Sequence, residues 1–137
     1  MFFRFTVIAL LLLGAAVPAN AQPPKRAPVT AATPAPDDRA RQWLVLVDDK
    51  NFPQSWKDAG KAFQTRQTAD AWANDANNKR VPLGAVASRD LKSIDLSRNN
   101  VAVIRYDTSF AKKTGTVETV TLTFENNGWA VTNYSVE

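Results

Sequence analysis

The chain has 137 residues, enough for one domain rather than two, with 17 lysines and arginines against 13 acids and a formal net charge of +4. It contains no histidine and no cysteine, which excludes Ser-His-Asp and Cys-His catalysis and zinc sites built from those ligands. Its basic residues are interspersed with acids, and no run exceeds Lys79-Arg80 or Lys112-Lys113, so a nucleic-acid-binding stripe is not expected.

The first residues read as a secretory signal peptide. Arg4 gives a positive start, residues 5–13 form an apolar run broken only by Thr6, and Ala19-Asn20-Ala21 supplies a small-residue site with cleavage expected after Ala21. The apolar run is too short to span a bilayer, so no transmembrane segment is expected after cleavage. No cysteine follows it, which excludes a lipoprotein anchor. The style of the signal is bacterial, and the expected destination is the periplasm. Residues 22–37 hold Pro23, Pro24, Pro28, Pro34 and Pro36 among alanine and threonine, a composition that cannot bury a core and reads as a linker. The folded domain is expected over residues 38–137, with Asp37 or Asp38 capping its first helix.

Three helices are then expected, each with one tryptophan on its apolar stripe. Ala40, Trp43, Leu44 and Val47 stand at i, i+3, i+4 and i+7; Trp56, Ala59, Gly60 and Phe63 repeat the spacing; Ala69, Trp72, Ala73 and Ala76 follow, with Thr68 as N-cap. Val81-Pro82-Leu83-Gly84 breaks the third helix. A first, less regular strand lies within residues 85–96, and Ser97-Arg98-Asn99-Asn100 is its turn.

Residues 101–136 read as three further antiparallel strands. Ala102, Ile104, Tyr106 and Phe110 alternate with polar positions; after a Lys112–Gly115 turn, Val120, Leu122 and Phe124 alternate with Thr119, Thr121 and Thr123. Glu125-Asn126-Asn127-Gly128 has hairpin-turn chemistry. A two-residue loop puts Trp129, Val131 and Asn133 on the face of Leu122 and Phe124. A three-residue loop with a bulge instead puts Ala130, Thr132, Tyr134 and Val136 there, and this second register is preferred because it buries Tyr134 and Val136. The fold class is therefore α+β: three N-terminal helices packed on a curved four-stranded antiparallel sheet.

The run from Tyr106 through Phe110 to Lys113, continued by Val117-Glu118-Thr119-Val120-Thr121 and closed by Asn127-Gly128-Trp129-Ala130-Val131, resembles the bacterial domain-of-unknown-function family 4019. Trp43-Leu44, Ser55-Trp56, Phe63, Trp72 and Arg80-Val81-Pro82-Leu83-Gly84 followed by Arg89 match the same family in order. The resemblance implies no assigned activity. One departure is a short connection between the first two strands, where the family pattern has a longer Gly- and Pro-containing loop. The order of elements is also similar to cystatin-like and nuclear-transport-factor-like domains, an analogy of fold that carries no function.

Four residues stand out as candidate ligand or partner contacts. Glu118 shares a strand face with Val120 and Leu122. It is either a shifted acid or base at a pocket mouth or, the expected case, a strand-end carboxylate that reaches solvent or pairs with a basic residue. Tyr106 is expected in the core with its hydroxyl at an edge. Arg89, with Arg80, either clamps an anion or, as expected, pairs with Asp90 and Asp95 or caps a helix. Trp43, Trp56 and Trp72 are expected as core, and Trp129, beside a turn, as partly exposed. No catalytic residue, metal ligand or cofactor is assigned. The leading expectation is a monomeric, non-enzymatic binding module for a small apolar ligand or an envelope protein. The rivals are an enzyme using Glu118 and Tyr106 in a helix-covered cavity, and a structural partner in an envelope assembly.

Overall fold

The computed structural model describes residues 32–137. The expected signal peptide, its cleavage point and residues 22–31 lie outside the described residues.

Helix α1 spans Pro36–Asp48. Pro36 opens it, since a fixed φ and a missing N–H cost nothing in the first turn. Ala35, not an aspartate, occupies the N-cap position. Asp37 and Asp38 fall one step later, in the first turn, where negative charge suits the helix dipole. The expected cap is thus corrected, but the stripe is as read: Ala40, Trp43, Leu44 and Val47 are all buried.

The second expected helix is two. α2 spans Phe52–Asp58 and α3 spans Lys61–Arg66, separated by Ala59 and Gly60 in extended conformation. The break is imposed by the sheet. Gly60 N–H donates to the Val131 carbonyl at 2.7 Å, and a Cβ at this position would lie 3.0 Å from the Ala130 Cβ and 3.1 Å from the Val131 oxygen. Helical periodicity across Trp56, Ala59, Gly60 and Phe63 was real, but a backbone docking point interrupts it. Helix α4, Ala69–Arg80, has the expected cap, with Thr68 Oγ1 accepting from Ala71 N–H at 3.1 Å. A 3₁₀ turn, Val81–Leu83, follows.

The sheet is a meander in the order β1-β2-β3-β4, all antiparallel, formed by Val86–Asp95, Val101–Phe110, Lys113–Glu125 and Gly128–Val136. The turn after β2 is tighter than the Lys112–Gly115 reading. Phe110 pairs with Lys113 at once, and Gly115, at φ 69°, sits inside β3 beside a register shift.

The last hairpin combines the two registers. Asn126 and Asn127 both have positive φ, giving a two-residue turn closed by Glu125 and Gly128. Phe124 therefore pairs with Trp129 and Leu122 with Val131, which corrects the preferred three-residue loop. A bulge between Thr121 and Leu122 then shifts the pairing, so that Val120 meets Tyr134 and Glu118 meets Val136. The bulge at Thr132 lets Val131 and Tyr134 face inward on the same strand.

The core lies between the helices and the inner face of β2, β3 and β4. Trp43 packs on Trp72, Tyr134 and Phe63 with ring centroids 5.8, 5.6 and 5.9 Å away. Buried indole nitrogens are satisfied: Trp43 Nε1 donates to the Ser55 carbonyl at 2.8 Å, and Trp72 Nε1 to Ser55 Oγ at 2.9 Å. Strand β1 is an edge. Its Leu91 and Ile94 pair with the inward-facing Tyr106 and Ile104, yet remain 43% and 40% exposed.

Candidate functional site

The inner face of the sheet is apolar at one end and polar at the other. On β2 and β3, Ala102, Ile104, Val120 and Leu122 give way to Thr108, Thr116 and Glu118, all buried. Arg89 of β1 pairs in register with Thr108, so the alternation of the sheet delivers it to the same end. The last residue of α4, Arg80, and the last of α1, Asp48, arrive from above.

These residues form one cluster around Glu118, which is 0% exposed. Its Oε1 accepts from Arg89 Nε and from Thr108 Oγ1, both at 2.8 Å. Its Oε2 accepts from the Tyr134 hydroxyl at 2.6 Å and lies 3.6 Å from Arg80 Nη1. Asp48 is the second acid. Arg89 grips it through two nitrogens at 2.8 and 2.9 Å, and Arg80 Nη2 reaches it at 2.6 Å. Arg80 also lies over the Phe110 ring, 4.9 Å from its centroid. Two guanidinium charges thus balance two carboxylates. Burial alone would raise the Asp48 carboxyl, but hydrogen bonds and charge from Arg89 and Arg80 outweigh it and hold it below the ordinary carboxylate value. Burial pushes the Tyr134 hydroxyl well above its usual value, reinforced by the Glu118 charge.

A cleft of about 410 Å³ opens beside this cluster, lined by Val47, Asp48, Lys50, Arg80, Val81, Gly84, Ala85 and Val86. Its size is that of a small-molecule site. Val47, Val81, Ala85 and Val86 give it aliphatic wall, and Asp48, Lys50 and Arg80 are its charged lining. Among the described residues, Arg80 Nε is the one buried side-chain polar atom without a hydrogen-bond partner. A larger groove of about 690 Å³, lined by Lys61, Thr65, Arg66, Thr121, Thr123 and Asn133 among others, shares no residue with the cluster. No group of acids among the described residues has the arrangement of a metal site.

The four sequence candidates separate. Glu118 and Arg89 come together in the cluster. Glu118 reaches neither solvent nor a cavity, and Arg80 and Arg89 pair with Asp48 and Glu118 rather than with Asp90 and Asp95. Tyr106 is opposite Glu118 in the β2–β3 register, but its hydroxyl points elsewhere and donates to Asp37 Oδ1 at 2.6 Å, with Arg41 5.0 Å above its ring. The two side chains do not converge on a common point. Trp129 lies at the opposite end, partly buried and edge-on to Phe124 at 5.3 Å.

Sequence reasoning missed Asp48, Lys50, Thr108 and Tyr134 as site members. A signal for one of them was present: Thr108, with Thr116, interrupts otherwise apolar inward positions next to Glu118, marking a polar end of the face. Asp48 and Lys50 gave none, because helix ends are ordinarily charged.

A family model described as a protein of unknown function, DUF4019, matches residues 39–134. No curated protein matches the sequence.

Proposed function

Since the chain belongs to the DUF4019 family, whose description carries no activity, we propose from its site that it is an exported, non-enzymatic module binding a small, largely apolar ligand in the cleft beside the ion cluster. In this reading the signal peptide delivers the chain to the periplasm. The observation that carries the reading is the saturation of Glu118. Both of its oxygens are committed to Arg89, Thr108 and Tyr134, while the adjoining cleft is walled by Val47, Val81 and Val86. A general base needs a free lone pair within reach of a substrate proton. The cluster instead acts as a rigid, charge-neutral back wall. Its cost in desolvation is offset by complete pairing of its carboxylates, and it joins α1, α4, β1 and β3 around the cleft.

Native mass spectrometry of the mature protein from its own compartment tests this. The expected result is a reproducible added mass of a few hundred daltons, on the scale of a ligand filling such a cleft, that is lost on denaturation. A bare protein, together with an empty thermal-shift screen, would overturn the reading.

A second reading rests on a different surface. Leu96 is 58% exposed and Phe124 38% exposed, and with Trp129 they line a depression of about 360 Å³ at the hairpin end. Exposed apolar surface of this kind suits an envelope-protein partner. Crosslinking from position 129 would detect one.

A further inference from the structure

Resting on the reading of the cleft as a ligand site, we propose that its ligand is a monoanionic amphiphile, a medium-chain carboxylate whose head group is met by Lys50 and whose hydrocarbon lies along Val47, Val81 and Val86.

The backbone at Lys50 is the first support. Helix α1 ends in a Schellman motif: Asn51 N–H donates to the Leu46 carbonyl at 2.8 Å and Lys50 N–H to the Val47 carbonyl at 3.1 Å. The residue at the left-handed position of this motif is ordinarily glycine, and here it is Lys50 at φ 58°. Every other positive-φ residue among those described is asparagine or glycine: Gly84, Asn100, Gly115, Asn126 and Asn127. A lysine is therefore held at a conformational cost where glycine or asparagine would sit more easily, at the rim of the cleft.

Charge is the second. Arg80 and Arg89 are balanced by Asp48 and Glu118, and Asp48 has both oxygens occupied by the two arginines. Lys50 takes part in none of the ion pairs among the described residues. The lined cleft thus carries one surplus positive charge, which a monoanion neutralises and a phosphate dianion would exceed. The remaining lining is aliphatic, which selects an alkyl chain over a sugar or nucleotide.

Calorimetric titration of the mature protein with decanoate, octanoate, decanol and decyl phosphate tests the assignment. Decanoate is expected to bind, decanol about tenfold or more weakly for want of the charge. Octanoate is expected to bind about tenfold more weakly than decanoate, for two lost methylenes. Lys50→Gly should lose about tenfold in decanoate affinity, leave decanol unchanged and raise the unfolding midpoint, while Lys50→Arg keeps decanoate binding. The opposed effects on stability and binding separate a ligand role from a structural one. Equal affinity for decanol and decanoate, tighter binding of decyl phosphate, or no effect of Lys50→Gly on decanoate overturns this inference and leaves the cleft as a binding site. A protein that carries an added mass yet ignores every alkyl probe does the same. Failure of all probes together with a bare mass overturns the binding-module reading as well.

Discussion

At the scale of the residue, Glu118 is the most informative side chain. It is fully buried, and four donors surround its two oxygens. Removing it leaves two guanidinium groups facing one remaining carboxylate in a poorly hydrated place. Glu118→Ala should therefore cost about 3–5 kcal/mol, the range for breaking a buried ion pair from one side, measured by urea denaturation. A double-mutant cycle with Arg89→Met should recover on the order of 0.5–3 kcal/mol, because Arg89 loses part of its reason to be buried. Lys50 behaves oppositely. Its left-handed backbone is relieved by glycine, so Lys50→Gly should stabilise the fold by about 1 kcal/mol, read in the same denaturation experiment. Stability gained at the expense of the rim lysine is what a functional residue in a strained position predicts.

At the scale of the element, the break between α2 and α3 is the point where helices and sheet register against each other. Gly60 touches β4 backbone to backbone, and a Cβ there would meet the Glu125 carboxylate, which can swing aside, and the Ala130 Cβ and Val131 carbonyl, which cannot. Gly60→Ala should destabilise by about 1–3 kcal/mol, the usual cost of overpacking. Amide exchange should show loss of protection at Gly60 and in α3 before the rest of the sheet. Strand β1 shows a different device. Register shifts at two places along it, between Val86 and Ser88 and between Leu91 and Ser93, leave Ala87 and Lys92 out of the ladder. Bulges and an edge lysine are the means by which an exposed strand avoids pairing with another chain.

At the scale of the whole molecule, pH dependence follows from the cluster and from the absence of histidine. The folded-state pKa of Asp48 is lowered, so its contribution is present above the ordinary carboxylate value of about 4 and is lost as pH falls through the folded value. The hydroxyls of Tyr106 and Tyr134 are raised, chiefly by burial, so their contribution is complete below about 10 and is lost as pH climbs through their folded values. Stability measured across pH should be flat between about 5 and 9, with losses on both sides and no inflection near 6.5, where a histidine would titrate. An inflection there would mean a coupled group beyond these three. Among the described residues no helix is long and apolar enough to cross a membrane.

The sequence by itself determined the elements whose cause is local. Thr68 caps α4 through its own side chain, a hairpin turn falls within Glu125–Gly128 although the sequence reading preferred the longer loop, and the period-two runs of β2 and β3 fix which side chains face the core as far as Leu122, beyond which Phe124 is 38% exposed. It also placed Glu118 on the inner face. Tertiary structure alone decided what lay between elements. The fate of Glu118 depended on Asp48, Arg80 and Arg89, which are far apart in the chain and meet only when α1, α4 and β1 are assembled. The split of the second helix depended on where β4 passes Gly60, and the mixed register of the last hairpin on a bulge that buries Val131 and Tyr134 together. The physical reason is range. Propensity, capping and alternation act over a few residues, whereas ion pairing, backbone docking and bulge placement are fixed by partners that the neighbouring sequence does not contain.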